Sequence, residues 1–132
     1  MLIPVLDKES ASRELANLHW LLDEIRNTCD DPEIRWKAAR LVGRAEDLYE
    51  AFLDEYLLRP YTGQDFYKNF SWRFSSEDKI EALLSLAFES AAVLDSARYE
   101  GFEPTSAFRN EVKSIRKETL HLLHEKKGWS ND

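Results

Sequence analysis

Few residues of this chain stand at spacings that chemistry uses. Glu118, His121 and His124 fall three apart in Glu-Thr-Leu-His-Leu-Leu-His. Glu-x-x-His on a helix is how a carboxylate and an imidazole reach one metal ion inside a helical bundle. Such a site needs a second Glu-x-x-His and two further inward glutamates, and the chain holds no second pair. By helical angle His121 lies about 120° from Ile115 and His124 about 180°, both turned off the apolar seam, so solvated histidines are expected and no metal or cofactor. Arg116 and His121 could pair a cation with a general acid–base group. Five residues apart on a straight helix they diverge by about 140°, and would converge only across a dimer. Cys29 is the sole thiol. It falls on a buried seam at a helix C-terminus, whose partial negative charge opposes a thiolate, and so reads as a core residue. A Gly-rich phosphate loop and a Gly-x-Ser-x-Gly elbow are both missing from the sequence, which leaves nucleotide hydrolysis and serine hydrolysis without a foothold.

Arg116-Lys-Glu-Thr-Leu-His121 resembles the Arg-x4-His motif of HEPN-type nucleases, which are all-α, of about this size and dimeric. The resemblance covers six residues, and Arg13 with His19 fits the looser Arg-x5-His form equally well. It implies a ribonuclease with Arg116 and His121 at its centre. Lys117 stands where that family often has a small polar residue.

The elements that would position these groups are long amphipathic helices. A first helix is expected over about Lys8 to Cys29, capped by Asp7 or Ser10, with Ala11, Leu15, Leu18, Leu22, Ile25 and Cys29 as one seam. Asp31 and Pro32 open a second, running to about Leu58. Its seam is Ile34, Ala38, Leu41, Ala45, Leu48 and Phe52, widened by Val42, Tyr49, Leu53 and Tyr56. Ser75 or Ser76 should cap a third helix that reaches Tyr99 before Gly101, with Ile80, Leu83, Ala87, Ala91 and Leu94 inward and Phe88, Ala92 and Tyr99 outward. Pro104 and Thr105 open the fourth, through Phe108, Val112, Ile115, Thr119 and Leu122 to Lys127. The fold class is therefore all-α: a four-helix up-down-up-down bundle, one domain over residues 1–132, with short hairpin links and a long connection between helices 2 and 3.

That connection, residues 59–75, carries six aromatic rings, among them Tyr61, Phe66 and Trp72. Connections of this length are commonly functional or packed by their own side chains. Here about half of the rings are expected to lie on the bundle and cover Trp20 or Trp36, the rest being open to a partner. Trp20 sits about 200° round the helix from Leu18, so it is either covered or offered to a partner.

Charge separates function classes further. The chain is 43% hydrophobic and 33% charged, a globular balance, with net charge −7. An acidic chain is a poor nucleic-acid binder, because phosphate contacts need Lys and Arg. Its apolar runs are too short to span a membrane, residues 1–6 are too short for a signal core, and one cysteine suits a reducing, cytoplasmic setting. Glu46, Asp47, Glu50, Asp54 and Glu55 follow one another without Lys or Arg between them. Runs of this kind are most often solvated faces; the specific reading is a docking surface for a basic partner.

The resulting expectation is a small acidic, non-enzymatic protein-interaction module of the immunity-protein, antitoxin or adaptor type. The partner surface comprises Glu46, Asp47, Glu50, Asp54, Tyr49, Tyr56, Trp20, Tyr61, Phe66 and Trp72. The alternative is a dimeric HEPN-like ribonuclease using Arg116 and His121; a structural subunit of a larger helical assembly comes third. A homodimer is compatible with each.

Overall fold

The computed structural model describes residues 3–61 and 79–130. Over these residues the chain is an all-α four-helix bundle with one small strand pair. Helix α1 spans Lys8–Thr28, α2 Pro32–Tyr56, α3 is described over Lys79–Ser96, and α4 spans Ser106–Lys127. Strands β1, Val5–Leu6, and β2, Arg98–Tyr99, pair in parallel. Among the described residues no helix is long and apolar enough to cross a membrane.

The caps are the ones that the sequence chemistry favours. Asp7 closes a capping box on α1: its Oδ1 accepts from the Ser10 N–H at 2.8 Å, and Ser10 Oγ accepts from the Asp7 N–H at 2.9 Å. Asp31 caps α2, and Pro32 occupies the first turn, where no N–H is needed. Thr105 caps α4 by accepting from the Phe108 N–H at 3.1 Å. Gly128 ends α4 in the left-handed conformation that a residue without Cβ adopts without strain. The expected caps of α3, Ser75 and Ser76, lie outside the described residues.

The seams close into one core. Leu15, Leu18, Leu22 and Ile25 of α1 are fully enclosed, as are Ala38 and Ala45 of α2, Ala87 and Ala91 of α3, and Ile115 and Thr119 of α4. Small residues on α2 and α3 let α1 approach both closely. Leu48 departs from its expected place in the core and is only half-buried. The reason is that α2 and α4 touch less extensively than the other neighbouring pairs, so that seam is not filled there.

Helices in contact run antiparallel. Lys79 at the start of α3 meets Glu24 near the end of α1 at 3.0 Å, and Lys37 near the start of α2 meets Glu125 near the end of α4 at 2.5 Å. Lys8 lies over the Tyr56 ring, joining the start of α1 to the end of α2. Up and down therefore alternate around the ring α1–α2–α4–α3, rather than strictly along the chain: α3 runs the same way as α2. Tyr61 already turns back beside the bundle, for its N–H donates to the Tyr49 hydroxyl at 2.7 Å.

The third helix stops at Ser96 rather than Tyr99. The Arg98 N–H donates to the Pro4 carbonyl at 2.8 Å, and the Glu100 N–H to the Leu6 carbonyl at 2.9 Å. Tyr99 thus belongs to β2, not to an outward helical stripe. Its ring meets Phe102 and Phe108 edge-on, and its hydroxyl donates to the Leu94 carbonyl at 2.6 Å. Burial pushes that hydroxyl's pKa up to about 12.

Candidate functional site

Helix α2 carries most of the expected surface, because 25 residues of one helix give three distinct longitudinal faces. Its inward face is the seam. On its outer face Glu46, Asp47, Glu50, Asp54 and Glu55 are all exposed. Glu46 lies 3.8 Å from His19 of α1. Asp47, Glu50, Asp54 and Glu55 make no ion pair among the described residues. Elsewhere on the same helix Lys37 pairs with Glu33 at 3.2 Å and Arg44 with Glu111 and Glu118, while Arg40 lies over the Trp36 ring.

Two aromatic groups flank that face. At mid-height Tyr61 stacks on Trp20, with ring centroids 5.8 Å apart and planes 26° from parallel, and is tied to Tyr49 through its N–H. Trp20 is thereby half-buried, covered in part by the start of the aromatic connection. Trp36 is not covered and stays 60% exposed, with Arg40 over its ring. At the end of α2, Tyr56 meets Phe52 at 4.8 Å and Phe102 at 4.9 Å, and is half-buried. Trp20, Tyr49 and Tyr61 thus form one group, and Tyr56 belongs to another. Phe66 and Trp72 lie outside the described residues.

The seam between α2 and α4 is held by Arg44. Its guanidinium donates to both Glu111 carboxylate oxygens, at 2.6 and 3.2 Å, to Ser114 Oγ at 2.8 Å and to Glu118 at 2.6 Å. Such a fork is the geometry in which Arg binds carboxylates most firmly. Either side of it the helices part. Toward the start of α2 opens a cleft of about 240 Å³ that Trp36, Arg40 and His121 line. Toward its end opens an apolar groove of about 220 Å³. Sequence reasoning missed this groove, since it exists only where two helices diverge. The sole hint was an Ala at position 51, outside the seam.

The remaining chemical candidates separate in space. Arg116 reaches α3, bonding Asp95 at 2.8 Å and lying over Phe88. His121 lines the cleft on the α2 side. The two thus face different neighbours and do not meet within one chain. Glu118 is engaged by Arg44, while the His124 ring packs 5.5 Å from Trp129. Among the described residues no three His, Cys, Asp or Glu side chains gather as a metal site would require. Cys29 is buried, with its Sγ 3.9 Å from the Asp31 carbonyl. On α1, Glu14 accepts from Ser90 Oγ at 2.7 Å, and burial raises its pKa above the ordinary carboxyl range.

Comparison of the chain with protein-family models, curated proteins and solved structures finds no match.

Proposed function

We propose that this chain is a small acidic, non-enzymatic interaction module of the cytoplasm that binds a basic protein, in the manner of an immunity protein, an antitoxin or an adaptor. One observation carries the reading. Asp47, Glu50, Asp54 and Glu55 are exposed on one helix and unmatched by any cation among the described residues, while Lys37 and Arg44 of that helix are fully engaged. Like charges three and four apart weaken a helix by a few tenths (about 0.2–0.5) of a kcal/mol per pair, so the run is tolerated at a cost. A basic surface relieves it on binding. Trp20, Tyr49 and Tyr61 beside the run supply aromatic area of the kind that anchors interfaces.

The test is capture from an extract of the native cell, followed by association kinetics of the captured protein with the parent and with E50K/D54K. The expected partner is basic, and the double reversal slows its association, mainly at low salt, where long-range steering operates. A partner that associates with the reversed protein as fast as with the parent at low salt would reduce this surface to a solvated face.

A further inference from the structure

The apolar groove beyond Arg44 lies next to the unmatched carboxylates. Its floor is Phe52 and Phe108, 4% and 8% exposed, with ring centroids 5.5 Å apart. Leu48 and Tyr56 form its α2 wall, and Ala107 of α4 with Pro104 just before that helix forms the other. Ala51 and Ala107 on the rim are exposed, and their small side chains leave the entrance open. The volume of about 220 Å³ is ample for one bulky side chain, since an apolar cavity of ~150 Å³ accepts a benzene ring. Glu55 stands on the rim, and Asp54 precedes it in the unmatched run.

Leu57, at the same end of α2 but outside the groove's lining, is a further exposed apolar side chain. It is 92% exposed and takes a left-handed backbone, φ 54°, at a helix terminus where Gly or Asn is usual. Nothing in the fold of the described residues requires a leucine there.

We infer that the groove between the end of α2 and the start of α4 receives a bulky apolar side chain from a basic amphipathic helix of the partner, whose cations lie over Glu55, Asp54 and their neighbours. Helix-in-groove recognition needs this arrangement: an apolar anchor point beside a charged rim. A second copy of this chain fits less well, because each copy carries charge −7 and would bring acid against acid. The inference rests on the basic-partner reading and adds to it the place and chemistry of the anchor.

Two synthetic helical peptides of equal charge test it, one of Lys and Leu, the other of Lys and Ala. The parent protein should bind the Leu peptide at least about tenfold more tightly than the Ala peptide. Ala107→Trp fills the groove from α4 without touching the acidic run, and should abolish that preference. Ala51→Trp does so from α2, and helical circular dichroism with an unchanged melting temperature shows which variant keeps the fold. E50K/D54K should weaken both peptides alike and preserve the preference. A Leu preference that survives in both Trp variants overturns the groove while leaving the acidic surface standing. A preference lost in the Trp variants, with both peptides indifferent to E50K/D54K, overturns the basic-partner reading instead. Concentration-dependent self-association that Ala107→Trp removes would assign the groove to a second copy and overturn the inference.

Discussion

At the scale of single residues, Leu57 and Glu14 sit where their side chains are least at ease. A left-handed leucine is strained, and Leu57 recovers little by contact, being 92% exposed. Leu57→Gly should therefore stabilise the protein by about 0.5–1 kcal/mol, strain relief outweighing the added freedom of the unfolded chain. Urea unfolding would show a higher midpoint at unchanged slope; a lower midpoint would mean that the side chain has a structural contact. Glu14 is raised by burial, so the fold prefers its neutral form. Its stability contribution is present below the unfolded value, about 4.5, and is lost as pH rises from there through the folded value. Glu14→Gln should match the parent in acid and become the more stable of the two as pH rises past that point, which melting curves across pH would reveal. Asp7 has the opposite sign. The Ser10 N–H and hydroxyl hold its carboxyl below the ordinary range, so its cap is intact at neutral pH and weakens as pH falls through the lowered value.

Between helices, the four seams are unequal. Leu18 and Ile115 are wholly enclosed. Truncating either to Ala should cost about 2–5 kcal/mol, the transfer loss plus the cavity left behind. Leu48→Ala should cost less, about 1 kcal/mol, because that side chain is already open to the groove. Equal losses at Leu18 and Leu48 would show the groove closed in solution. Arg44 takes over on α2 and α4 what apolar packing does elsewhere. Arg44→Met should cost about 1 kcal/mol, less in high salt, and the loss should shrink in a Glu111→Gln background, as a double-mutant cycle would measure. The helices themselves were legible from period and caps: Asp7, Asp31, Thr105 and Gly128 each punctuate where their chemistry says. The early stop of α3 was not, because β2 is held by Pro4 and Leu6, more than 90 residues away in the chain.

Over the whole molecule, charge and reactive groups are laid out apart. The exposed carboxylates without an ion pair among the described residues gather on the outer face of α2, while Arg116 turns to Asp95 on α3 and His121 to the α2 cleft. Arg116→Ala and His121→Ala are therefore expected to leave partner binding unchanged. Purified protein that degrades RNA, and loses that activity with either substitution, would instead require a dimeric nuclease in which two chains bring these residues together. What the sequence alone could determine was the helices, their caps and the acidic run, since each depends on residues within about a turn of one another. Of the candidate surface, the acidic face was legible to the same extent: which carboxylates share it follows from helical angle, and Glu46, Asp47, Glu50 and Asp54 are all exposed. Only the tertiary structure could decide the order of helices around the ring, the Trp20–Tyr61 stack and the groove beside Leu48. A groove is space between two helices, and its width depends on how far α2 and α4 diverge beyond Arg44, a distance that no local pattern encodes.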